Sequence, residues 1–224
     1  MKIFTRNEWL TLAVIPIELL LGNSLGALLE KQATALSIAA TVLFIIGFLS
    51  AVLLNRRLLA EQWHTFRSKF WLKLLLALLL VFAAQFLLDL VRQFLGLNAA
   101  QASSLSFLSV YLSLFWSLLP SLLAPFTEEL VFRHLLFMKF RTTAKPVLFW
   151  ILWICQSILF GLVHWSNFDG QILKMVPYMI VGGFFGLIYY FSKNIWQNIL
   201  THFIFNGIGL FTLTFSLIMS LFSK

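Results

Sequence analysis

Glu128 and Glu129 are adjacent in the stretch "APFTEELVFRHLLF" (124–137), and Arg133 and His134 follow within two helical turns. The chain around them is 61% hydrophobic and only 11% charged. An ionisable group in hydrocarbon costs about 3 kcal/mol or more unless it is paired or hydrated, which makes each one a candidate for function. Glu129 and Arg133 are four apart, the spacing at which an acid and a base share one helix face. Such a pair neutralises both charges. Neighbours on a helix point about 100° apart, so Glu128 faces different surroundings, where it can accept a proton or bind a metal. The same residues can equally be read as one structural charge network, and this stretch alone leaves both readings open.

Two further stretches bear on the choice. "FGLVHW" (160–165) places His164 four residues after Phe160, near the end of an apolar segment. "LTHFIFNG" (200–207) places His202 and Asn206 four apart on one face of the last segment. A single histidine in an apolar helix is ordinarily a hydrogen-bonded packing residue. Three separate segments, each turning a polar group inward, ask for more. Glu128, His164, His202 and Asn206 supply an acid/base, two imidazoles and an amide, enough to activate a water and stabilise an oxyanion. A divalent metal such as zinc is the open cofactor question, with Glu128, His164 and His202 as its ligands.

The remaining acids are few. Glu8, Glu30, Glu61 and Asp169 fall at segment ends or in connections. Asp89 and Arg92 are three apart and read as a structural pair at a helix end. Glu18 lies inside an apolar run with no local partner, so it hydrogen-bonds across helices or lines a cavity. The single cysteine, Cys155, sits in an apolar run, makes no internal disulfide and reads as packing.

The elements that must position these groups are membrane helices. Mean hydropathy is +0.94, and the apolar runs are continuous and about 20 residues long, the length of a bilayer crossing. Continuous rather than alternating runs exclude a β-barrel. The expected fold is all-α: one integral-membrane domain over 1–224, a polytopic bundle of about eight membrane helices. They span about 8–29, 34–54, 70–91, 104–123, 125–141, 146–165, 171–192 and 195–221. Pro120 and Pro125 are expected to break the chain before the helix that carries Glu128, which places both glutamates near its positive end.

The net charge of +8 does not point to nucleic acid, because the basic residues sit in short connections. Lys2, Arg6, Arg56, Arg57, Arg67 and Lys69 put the N-terminus and the 55–69 connection in the cytoplasm of a multi-pass cell-membrane protein. An even number of crossings returns the C-terminus there too. Lys139, Arg141 and Lys145 run against this unless 125–141 is re-entrant. In the eight-span picture His202 also starts about 10 Å from the membrane face opposite Glu128 and His164.

Taken together, "EELVFR" (128–133), "FGLVH" (160–164) and "HFIFN" (202–206) resemble the EExxxR, FxxxH and HxxxN motifs of the CPBP family, the CAAX proteases and bacteriocin-processing enzymes also called Abi. The three stand in the family's order on separate apolar segments, and the resemblance covers about 104–212. It implies an intramembrane endopeptidase with a cavity opening into the membrane core. It also implies that Glu128 and His164 activate the attacking water, that His202 and Asn206 stabilise the oxyanion, and that Glu129 and Arg133 support them. The absence of HExxH sets the chain apart from the soluble zinc proteases, and metal dependence stays open.

The expected partners are a hydrophobic or lipid-modified peptide substrate and the bilayer, with no nucleic acid. The resemblance favours bacterial peptide processing or bacteriocin self-immunity. Two other classes remain: a non-catalytic membrane immunity or binding protein, and a proton-coupled transporter. Against the last, no duplicated half or matched pair of broken helices is evident.

Overall fold

The computed structural model describes residues 3–97 and 119–222, and among these every regular element is helical. The helices are α1 (Arg6–Leu28), α2 (Ala33–Leu54), α3 (Arg56–Arg67), α4 (Phe70–Phe94), α5 (described from 119 through Leu135), α6 (Pro146–Leu162), α7 (Ile172–Ser192) and α8 (Ile195–Phe222). Helices α1, α2, α4 and α7 are each long and apolar enough to cross a membrane. On α4 the side chains of Trp71, Phe82, Phe86 and Phe94 all stand exposed. Large apolar groups on an outer face belong against lipid tails rather than water. Helix α7 is the most enclosed of the four and forms the centre of the bundle.

Two helices differ from the sequence reading. The 55–69 connection is helical: α3 is amphipathic and packs on the start of α8. There the Trp196 indole donates to the Leu59 carbonyl at 2.7 Å and the Ile195 amide to Gln62 Oε1 at 2.5 Å. Its basic and apolar residues alternate at helical spacing, and a search for long apolar runs passes over that pattern. The second difference is the expected break at Pro120 and Pro125. Helix α5 already includes Pro120 where its described part begins and runs through Pro125, so Glu128 sits more than two turns inside it rather than at its start. From Glu129 to Leu135 the helix widens to π geometry, closed by the Leu136 amide on the Val131 carbonyl at 3.0 Å, five residues back. It stops at Leu135 instead of continuing to 141. The expected segment 104–123 lies mostly outside the described residues.

Helices α6 and α7 approach through glycine. A Cβ on Gly182 would lie 2.7 Å from Phe160 Cδ1, and one on Gly186 would lie 2.8 Å from Gln156 Nε2. The small-xxx-small spacing of Gly182 and Gly186 therefore serves close packing. Cys155, expected to pack, is exposed on the outer side of α6.

One end of the bundle gathers several basic groups. Lys139 pairs with Glu8 at the start of α1, and Phe4 packs edge-on against Phe140. Asn55, ending α2, donates to Thr11 Oγ1 on α1 at 2.8 Å. The basic 139–145 connection thus lies beside the N-terminal end of α1. Helix α8 starts at this same end, next to α3, and its 28 residues carry it about 42 Å away.

Candidate active site

Helix α6 is only 17 residues long, about 26 Å at 1.5 Å per residue. That is shorter than the roughly 30 Å hydrocarbon core of a bilayer, and His164 follows two residues after its last turn. Helix α8 starts at the same end of the bundle as α6 and brings His202 inward on its third turn. Glu128 sits within α5 between them. Glu128, His164 and His202 meet in one cavity, with α5 under way before 125 and α6 ending at Leu162.

Glu128, His164, His202 and Asn206 all line one cavity of about 570 Å³. His202 stands between the two glutamates. Its Nε2 is 3.6 Å from Glu128 Oε2 on the cavity wall, and its Nδ1 is 2.8 Å from Glu129 Oε1 behind it. A ring held by a carboxylate through Nδ1 has its orientation and tautomer fixed, with Nε2 turned toward the cavity. Nε2 of His164 is buried with no hydrogen-bond partner among the described residues. The His164 ring is held by aromatic contact instead, with its centroid 5.6 Å from Phe160 and 4.8 Å from Tyr178.

Glu129 and Arg133 do not face the cavity. Both side chains are fully buried and form the expected ion pair, Arg133 Nη1 to Glu129 Oε1 at 3.3 Å. The guanidinium carbon lies 3.9 Å from the centroid of Phe160, and Nη2 donates to the Gly182 carbonyl at 3.3 Å. A desolvated cation over an aromatic ring gains about 2 kcal/mol. The phenylalanine of "FGLVH" thereby has a physical role, bearing the arginine on one side and the edge of His164 on the other.

Two supporting contacts lie outside the sequence reading. Asn198 donates to Glu129 Oε2 at 2.5 Å and to the Phe185 carbonyl at 2.9 Å. It lies four residues before His202, as Asn206 lies four after, so an i, i+4, i+8 polar stripe on α8 carried the signal. The second contact joins Asn206 to α5, its amide donating to the Ser121 carbonyl at 2.7 Å. Pro125 has no N–H for that carbonyl, and the asparagine occupies the position of the missing helical donor. This is how α5 continues through proline.

Among the described residues no three His, Cys, Asp or Glu side chains converge as metal ligands. Glu129 braces His202 through Nδ1 and leaves Nε2 as the ring nitrogen open to a metal, but Glu128, His164 and His202 are not gathered as a ligand set in this arrangement. No step of the proposed reaction is routed through a metal.

Residues 109–208 match the family model of the type II CAAX prenyl endopeptidase Rce1-like proteins. The matched segment is 100 of the chain's 224 residues, and over that length the chain is similar to the CAAX protease family. Every residue of the three motifs falls inside the matched segment, whereas α1 to α4 lie outside it. Neither the curated proteins nor the solved structures offer a significant match. The long apolar helices accord with a membrane protein.

Proposed function

We propose that this chain hydrolyses a peptide bond in a hydrophobic, membrane-associated peptide, with the reaction carried out in the cavity between α1, α5, α6 and α8. One observation carries the reading: Glu128, His164, His202 and Asn206, from three different motifs, line the same cavity. Glu128 takes a proton from the water that attacks the scissile carbonyl and passes it to the departing amine as the C–N bond breaks, while His164 Nε2 hydrogen-bonds that water. His202, braced by Glu129, and Asn206 face the developing oxyanion. An asparagine amide carries two N–H groups, so one can hold Ser121 while the other points to substrate. The apolar part of the wall, with Leu19, Leu36, Ala40 and Phe44 from α1 and α2, suits a hydrophobic segment of the peptide.

The proposed role is peptide processing or bacteriocin self-immunity in a bacterial membrane, and it rests on the family resemblance. The end of the bundle with Lys139 and the start of α1 is proposed to face the cytoplasm, because it collects basic residues of the N-terminus, α3 and the 139–145 connection.

The test is Glu128→Ala, His164→Ala and His202→Ala in purified protein reconstituted in vesicles, each variant checked for folding by thermal melting. Cleavage of a hydrophobic peptide should fall by a factor of at least about 100 in each. Full cleavage in all three, or protection of cells that survives all three, would assign the protein to a non-catalytic role.

A further inference from the structure

Glu18 is a carboxyl in the middle of α1 that the reaction above does not use. It is 9% exposed, and its Oε1 is buried with no hydrogen-bond partner among the described residues. It lines the same cavity as Glu128. Its seat is made for it. A Cβ on Gly47 of α2 would lie only 1.7 Å from Glu18 Oε1, so in this conformation the carboxyl takes the space a side chain at residue 47 would fill. An unpaired acid in this position has no structural return, since a leucine there would pack without the desolvation cost.

The charge of the wall shows what would pair with it. Among the described residues the cavity lining contains Glu18 and Glu128 and not one lysine or arginine. Arg133 is occupied by Glu129 behind the wall. Residues 98–118 contribute no charged residue of either sign. The wall is therefore acidic, with one acid given to hydrolysis and the other without a partner.

We infer that Glu18 is a specificity-determining residue of the peptidase site, binding a cationic group of the peptide substrate beside the scissile bond. The inference rests on the peptidase reading for its substrate and on Glu18, Gly47 and the cavity wall for its chemistry. The cation has two possible sources in a peptide, a lysine or arginine side chain or a free amino terminus, and both offer the same N–H donors to a carboxylate. The residue comes from α1, outside the matched family segment.

The experiment measures binding, so it does not depend on turnover. A hydrophobic peptide with one central lysine is compared with its norleucine counterpart, each with a free or an acetylated amino terminus, by titration into detergent-solubilised wild-type protein. The lysine peptide, or the free-amine peptide if the terminus is the source, should bind about ten-fold more tightly than its neutral counterpart. Glu18→Gln should bring that ratio close to one. Glu18→Lys should reverse it toward a peptide carrying glutamate. Equal binding of charged and neutral peptides by the wild type, or a ratio unchanged in Glu18→Gln, overturns the inference. If the ratio behaves as expected while no peptide is cut, the recognition site stands and the hydrolytic reading falls. If Glu18→Lys does not fold, the glutamine variant alone decides.

Discussion

His202 Nδ1 lies 2.8 Å from Glu129 Oε1, and the same carboxylate holds Arg133 at 3.3 Å and accepts from Asn198 through its other oxygen. One buried acid thereby sets both the stability of α5 and the aim of the histidine on α8. Removing one member of such a buried pair strands the other charge and costs about 3–5 kcal/mol, whereas removing both costs far less. Arg133→Ala should therefore lower folded yield and melting temperature as well as activity. The double variant Arg133→Met with Glu129→Gln should regain much of the melting temperature. It should not regain activity, because the carboxylate that aims His202 is gone. A normal melt in Arg133→Ala would refute the structural pairing, and full activity in the double variant would refute the aiming role.

The amide of Asn206 serves two purposes that a paired experiment separates. Asn206→Leu takes a donor from the Ser121 carbonyl, at a cost of about 1 kcal/mol in a buried setting. Pro125→Ala supplies that carbonyl with a helical N–H. In the Pro125→Ala background, Asn206→Leu should lose less stability than in the native background. Cleavage should stay low in both if the second amide N–H faces the oxyanion. Recovery of cleavage along with stability would reduce Asn206 to a clamp between α5 and α8. Thermal melts and kcat of the four proteins decide it.

The polar residues are legible in the sequence because hydrocarbon makes each one costly. Glu128, His164, His202 and Asn206 stand out by type and spacing, and they do share a cavity. The helical class follows from the length and continuity of the apolar runs. What stays hidden depends on partners distant in the chain. Proline normally ends a helix, and the donor to the carbonyl left open by Pro125 comes from Asn206, 81 positions further on by sequence number. Glu18 has no visible partner in the sequence, and none is found among the described residues. Nothing in the sequence shows that Gly47 on a neighbouring helix makes room for it. The surface helix α3 escapes detection because amphipathic spacing in a basic stretch reads as a connection when spans are sought by hydropathy alone.

Gly182 controls Phe160, and through it Arg133. A methyl group at residue 182 would sit 2.7 Å from Phe160 Cδ1 and 3.1 Å from its Cβ. The ring has to shift, and the ring is what lies 3.9 Å under the guanidinium. Overpacking of this kind costs about 1–3 kcal/mol. Gly182→Ala should lower the melting temperature and reduce cleavage together, although residue 182 does not touch the substrate. Phe160→Leu in the same protein should restore part of the melt by yielding space. A Gly182→Ala protein that melts normally would show that α6 and α7 can separate at no cost.

Gly22 offers the opposite case. It lines the cavity on α1, and a Cβ added there meets nothing within 4 Å. A larger side chain at residue 22 would project into open space without displacing its neighbours. Gly22→Leu should leave the melting temperature unchanged or raise it slightly, since leucine replaces glycine in a helix at a gain of about 0.5–1 kcal/mol. If the peptide lies between α1 and α2 on its way to Glu128, the same change narrows its path. KM for a long hydrophobic peptide should then rise several-fold while kcat for a short one holds. Unchanged KM for peptides of every length would mean that substrate reaches Glu128 by a route that avoids α1, and the access path would have to be sought on another face of the cavity.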